Sequence, residues 1–127
     1  VLASPEDLKK LESLIHPLVK EKRKEFISRW RKQECPFVIL DIPLLYEKGG
    51  FANLDAVAVV SAPAGMQRQR VLARPGMTEE KFEQILKLQV PDAEKRGRAD
   101  HVIGTGCSLA ETREAVARLV EKLRSGK

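Results

Sequence analysis

Leu8, Leu11, Leu14 and Ile15 recur at helical spacing behind Ser4-Pro5-Glu6-Asp7. This pattern predicts an amphipathic helix opened by a serine N-cap, with proline at the first helical position and acids in the first turn. Pro17 predicts an interruption, because His16 before it is biased away from helical angles. A second, highly charged helix is predicted from about Leu18 to Lys32. It turns Val19, the aliphatic stem of Arg23, Phe26, Ile27 and Trp30 inward, and Lys20, Lys24, Glu25 and Arg29 outward. Cys35-Pro36 closes it.

From there the period changes. Phe37–Ile42 is a continuous apolar run broken only by Asp41 and ended by Pro43, the signature of a strand buried on both faces. Asp55–Ser61 is a second such run, after a loop at Lys48-Gly49-Gly50, and His101–Ile103 is a third. Helices are expected between the strands. One runs from about Pro63 to Arg74 and stops at Pro75-Gly76. One is capped by Thr78 with Phe82, Ile85, Leu86 and Gln89 on one face, and a short charged one covers Pro91–Arg98. Ser108-Leu109-Ala110-Glu111 is a capping box for the last helix, whose inward stripe is Leu109, Thr112, Val116, Leu119, Val120 and Leu123. Strands alternating with helices predict an α/β fold with a parallel sheet. Three strands are few for such a sheet, so further strands are expected upstream.

Composition narrows the class. With 127 residues, 43% of them hydrophobic, the chain can bury a core in one compact domain. The net charge of +5 suits a cleft for polyanionic small molecules as well as nucleic acid. One Trp, one Tyr and four Phe give no interleaving of aromatic and basic residues, so no nucleic-acid partner is expected. Cys35 and Cys107 stand far apart without metal-ligand spacing and read as reduced thiols of a cytoplasmic protein. No apolar run has the length of ~18 residues that would span a bilayer, so no membrane association is expected. Val1-Leu2-Ala3 begins without methionine and runs straight into the helix signal, as a trimmed chain would.

An acid at the end of a buried parallel strand, as Asp41 is, faces the nucleotide and helps hold Mg²⁺ in P-loop enzymes. The G-x-x-x-x-G-K-[ST] loop that should accompany it is nowhere in these residues. The order of the remaining pieces is specific: His16-Pro17, then Leu40-Asp41-Ile42-Pro43-Leu44-Leu45-Tyr46-Glu47, then Gln67, Arg70 and Arg74, then Gln89, then Lys95 and Ala99-Asp100-His101-Val102-Ile103. Over about Leu11 to Leu123 it resembles the dephospho-CoA kinase family. The resemblance implies a three-layer, P-loop kinase-like parallel sheet, here incomplete. Residues 1–127 would be the C-terminal part of one kinase domain, with an acceptor-binding helical region at about 4–33 and a helix and lid region at about 63–98. It implies ATP-dependent phosphorylation of the ribose 3′-hydroxyl of dephospho-CoA, with Mg²⁺ accompanying ATP as co-substrate. ATP and dephospho-CoA are the implied partners, and the oligomeric state is left open. The phosphate loop and the acceptor-activating acid would precede Val1, so these residues alone are expected to be inactive. The alternatives are another small-molecule P-loop kinase, such as one acting on a nucleoside monophosphate, or a non-catalytic nucleotide- or protein-binding module.

Carried onto this sequence, the resemblance assigns Asp41, Arg70 and Arg74 to catalysis, with Asp41 holding Mg²⁺ through water. Asp41 could equally cap its own loop. Arg70 and Arg74, four apart on one helix face, could swing over a transferring phosphoryl group, whereas Arg68 reads as a solvated arginine. Pro43, Leu44 and Leu45 would shape the floor between the acceptor and nucleotide sites. Glu47 reads either as an acceptor-side residue or as a solvated glutamate. His16 is assigned to acceptor binding, ahead of a general-base role. On the nucleotide side stand Arg70, Arg74, Lys95, Gly104, Thr105 and Gly106. Lys95 either reaches phosphates or is solvated. Many relatives carry Asn where Thr105 stands, which leaves backbone contacts to the adenine.

Overall fold

The structure, a computed structural model, describes residues 4–49 and 53–126, so Gly50 of the expected loop lies outside the described residues. The chain divides into two compact units, Val1–Leu40 and Asp41–Lys127. The first is built on helix α1, Pro5–Lys32. The side chain of Ser4 accepts the Asp7 N–H, Pro5 opens the helix, and Glu6 and Asp7 stand against the positive end of its dipole. The predicted break at Pro17 does not occur: the proline lies inside one continuous helix of 28 residues. A proline costs the bond from its missing N–H and disfavours its predecessor's helical angles. More than two turns on either side keep their own ladder, so the helix survives one lost bond. It ends without glycine. Glu34 takes φ 55°, its N–H bonding Arg31 and the Cys35 N–H bonding the Trp30 carbonyl, which is the paired closure of a left-handed cap. Within this unit no described residue of α1 is buried, and the stripe expected at Val19 and Phe26 is exposed.

The second unit is α/β. Helix α2, Leu45–Lys48, precedes strand β1, Ala58–Ser61. Helices α3, Ala64–Leu72, α4, Glu79–Leu88, and α5, Asp92–Arg98, lead to strand β2, His101–Gly104, and helix α6, Leu109–Arg124, follows. The two strands are parallel, pairing Ala58 with His101 and Ser61 with Gly104. Asp100 sets that register: its carboxylate accepts the Val57 N–H at 2.8 Å, while Asp100 and His101 N–H groups bond the Val57 carbonyl. β1 is therefore shorter than the predicted 55–61 run, since its partner begins only at His101. Residues 37–42, expected as a strand, form none. A strand is stabilised by its neighbour's hydrogen bonds, and no described residue pairs with this run. Ser108 and Glu111 make the predicted capping box of α6. That helix turns Thr112, Leu119, Val120 and Leu123 inward, as expected, but leaves Leu109 and Val116 exposed.

Among the described residues three are buried: Tyr46, Phe82 and Ser61. Phe82 sits under Arg68, whose guanidinium lies 5.8 Å from the ring centroid and pairs with Glu79 and Glu83. Arg68 is thus a clamp between α3 and α4, not the solvated arginine expected. Tyr46 lies under Arg98 at 4.5 Å, and beside it Glu47 bonds Lys95 at 2.8 Å, so two links join α2 to α5. Leu44 enters α2 at φ 57°, a left-handed conformation that costs a leucine roughly 1 kcal/mol or more.

Two outcomes are expected. Arg68→Ala should lower stability in urea unfolding by about 1 kcal/mol, the sum expected of exposed ion pairs and a cation–π contact. Glu47 gives a pH signature. Burial raises its pKa, but the Lys95 hydrogen bond, the Val90 N–H and the Lys95 charge outweigh that and hold it below its ordinary 4.5. A depressed carboxyl contributes stability that is present above the unfolded value and lost as pH falls through the folded one. Glu47→Gln should therefore flatten the decline in melting temperature that wild type shows below about pH 4.5.

Candidate functional site

In open parallel sheets, ligands bind beyond the carboxyl ends of the strands. Here those ends are Ser61 and Gly104, paired side by side. Beyond them, the Thr105 N–H donates to the Ser61 carbonyl at 2.7 Å and the Thr105 hydroxyl to the same oxygen at 3.2 Å. The Ser61 hydroxyl donates in turn to both carboxylate oxygens of Asp92, at 2.9 and 2.8 Å. Asp92 opens α5 and also takes the Arg96 guanidinium at 2.9 Å. One buried serine therefore ties β1 to the loop after β2 and to the start of α5.

Around this junction lies a cleft of about 330 Å³, with Arg70, Arg74, Lys95, Gln67, Gln89 and Thr105 in its wall. Gln67 is held by the Ala62 carbonyl at 2.9 Å, and the Arg70 guanidinium donates to the Thr105 carbonyl at 2.8 Å. Arg74 stands just past the end of α3, and among the described residues its guanidinium has no acceptor. Three cations and one carboxylate, Asp92, give the wall a positive balance. A second hollow, of about 410 Å³ over α3 and α4, carries Arg68, Glu79 and Glu83 already paired with one another.

Four of the residues assigned to the nucleotide, Arg70, Arg74, Lys95 and Thr105, come together in the first cleft. Gly104 ends β2, and Gly106 packs so closely on Pro63 that a Cβ there would stand 2.6 Å from its ring. Asp41, Pro43 and Leu44 are exposed and do not line the cleft; Leu45 starts α2. The Asp41 carboxylate accepts no hydrogen bond among the described residues, so no described amide supports its reading as a loop cap. Glu47 is neither solvated nor free: its side chain is 9% exposed and bonds Lys95 and the Val90 N–H. Lys95, correspondingly, is not merely solvated. His16 lies exposed on α1, in the other unit. Sequence reasoning missed Ser61, Asp92 and the bond from Glu47 to Lys95. Their only sequence signals are a strand-end serine and an acid after proline, both too common to single out.

The model of the family described as dephospho-CoA kinase matches residues 1–111. A dephospho-CoA kinase of Rhizobium meliloti is 51% identical over 126 residues, covering 99% of this chain and 65% of that protein. One of Novosphingobium aromaticivorans is 57% identical over 124 residues, covering 98% and 61%. Among solved structures, a dephospho-CoA kinase from Campylobacter jejuni superposes with a TM-score of 0.70 at 27% identity, covering 98% of this chain and 62% of its own. A Thermus thermophilus protein gives 0.77 at 37% identity, covering 97% and 63%. The chain thus spans less than two-thirds of the length of these curated relatives. With its parallel α/β unit, its cationic cleft at the strand ends and a family match over residues 1–111, this chain belongs to the dephospho-CoA kinase family.

Proposed function

We propose that this chain forms the nucleotide-side wall and phosphoryl-clamping arm of an enzyme that transfers the γ-phosphoryl group of ATP to the ribose 3′-hydroxyl of dephospho-CoA. The observation that carries this reading is the convergence of Arg70, Arg74, Lys95 and Thr105 at the carboxyl ends of two paired parallel strands. A transferring phosphoryl group spreads negative charge over its equatorial oxygens, and fixed cations stabilise that charge. Arg70 is anchored by the Thr105 carbonyl and keeps further N–H groups for a phosphate oxygen. Arg74 is uncommitted and stands beside Pro75-Gly76, where Gly76 takes φ 77°. It can close on the ligand as that junction moves. The Gly104–Gly106 turn offers backbone to the adenine edge. On this reading the amides and lysine that cradle the β- and γ-phosphates come from the part of the family domain that these residues do not match.

For Mg²⁺ the candidate is Asp41, whose carboxylate is exposed and accepts no hydrogen bond among the described residues. Among the described residues no group of three acidic, histidine or cysteine side chains could cage a metal. Mg²⁺ needs only one or two carboxylates when phosphate oxygens and waters complete its shell. Asp41 would hold it, and the ion would neutralise charge on the bridging phosphates. The acceptor side is assigned to α1 with His16 and to Pro43, Leu44 and Leu45.

Steady-state kinetics test both roles in the enzyme that joins these residues to the family's phosphate loop. Asp41→Asn should lower kcat by about tenfold or more at limiting Mg²⁺ with the fold intact; activity within about threefold of wild type would remove the metal role. Arg74→Ala should lower kcat with a smaller effect on the KM for dephospho-CoA, and Arg74→Lys should restore only part of it, lacking the bidentate fork. Arg68→Ala, assayed well below its melting temperature, should leave kcat near wild type. Equal losses at Arg68 and Arg74 would instead indicate a diffuse basic surface.

A further inference from the structure

Glu47 lies in the sequence segment that the family resemblance assigns to the acceptor, yet its contacts point the other way. Its Oε2 accepts from Lys95 Nζ at 2.8 Å and from the Val90 N–H at 2.9 Å. Both partners line the cationic cleft. The other oxygen, Oε1, is buried and accepts no hydrogen bond among the described residues. The whole carboxylate is thus spent through one atom on two elements, the turn between α4 and α5 and the flank of α5. We infer that Glu47 is a positioning residue for the nucleotide: it holds Lys95 at the cleft wall with two ammonium donors left for phosphate oxygens.

The physical case rests on Lys95. Its side chain is only 23% exposed, and a half-buried ammonium without a counter-charge is driven out into water. An ion pair with Glu47 keeps it inside, and an ammonium has three donors, of which the carboxylate takes one. Val90, held by the same oxygen, lies between Gln89 and Pro91. That places the end of α4 and the start of α5 on one fixed point. The Tyr46–Arg98 contact, 4.5 Å from centroid to guanidinium, braces α2 on α5 one turn further along α5. Removing the charge of Glu47 should therefore cost phosphate affinity through Lys95 and leave Arg74 unaffected.

The inference rests on the nucleotide reading of the cleft, and the test separates the two. The ¹⁵N-labelled enzyme that joins these residues to the family's phosphate loop would be titrated with ATP, and with adenosine as a phosphate-free control, while backbone amide shifts are followed. Wild type, Glu47→Gln, Glu47→Asp, Lys95→Met, Arg74→Ala and the double variant Glu47→Gln/Lys95→Met would be compared. Glu47→Gln and Lys95→Met should each weaken ATP binding by about tenfold, the worth of one charge-assisted contact, and the double variant should be no worse than either. Glu47→Asp, charged but a methylene short, should recover part of the loss, and adenosine should bind every variant alike. Undiminished ATP affinity in folded Glu47→Gln, or losses that add in the double variant, would overturn the positioning role while leaving the nucleotide reading in place. If Glu47→Gln fails to fold, Lys95→Met and Glu47→Asp decide on the same criterion. An ATP titration that leaves wild-type Arg70, Arg74 and Thr105 amides unmoved would remove the nucleotide reading and this inference with it.

Discussion

The Ser61 carbonyl and hydroxyl are the point on which the second unit depends. A strand of four residues pairing with another of four is too short to hold itself. What completes it is a buried polar junction in which one residue satisfies four donor–acceptor contacts: two from Thr105 to its carbonyl and two from its hydroxyl to Asp92. Such a junction is worth most when complete, because each buried polar atom left unpaired costs more than a satisfied one contributes. It also fixes where the loop after β2 and the start of α5 stand. The cleft is the space that those two elements and α3 leave between them.

Charge is distributed over this frame in two ways. Arg70, Arg96, Lys95 and Arg68 are each committed to an oxygen of the protein, so their positions are set before any ligand arrives. Arg74 is committed to none among the described residues and stands beside Pro75-Gly76, where Gly76 takes φ 77°. On the proposed reading, fixed cations would supply a preorganised field and an uncommitted one could respond to charge that develops during transfer. The pairing of a held lysine with an uncommitted arginine is what distinguishes this wall from a generally basic surface.

Much of the local structure was legible because its causes are local. Ser4, Thr78 and Ser108 cap helices as their spacing with following acids demanded, and His101–Ile103 forms a strand between turn signals. The departures arise where a distant group or a long-range balance decides. Pro17 was expected to break a helix, but the cost of one bond is small against the turns on either side of it. The run at 37–42 has strand composition without a partner among the described residues, and composition alone forms no ladder. Glu34 closes α1 in the left-handed region without glycine, because the two cap bonds offset the strain. At the site, Arg70, Arg74, Lys95 and Thr105 could be nominated from a family pattern. The use of Glu47 could not, since it depends on a partner 48 positions away whose orientation only the fold reveals.

The proposed function makes one central claim: the triphosphate would lie against Arg70 and Arg74, with the base beside residues 104–106. A crystal structure of the phosphate-loop-containing enzyme with a non-hydrolysable ATP analogue bound tests it most directly. The account predicts phosphate oxygens within hydrogen-bond reach of the Arg70 and Arg74 guanidiniums and the adenine edge against the backbone of the turn after β2. A nucleotide seated elsewhere, with both guanidiniums facing solvent, would contradict it.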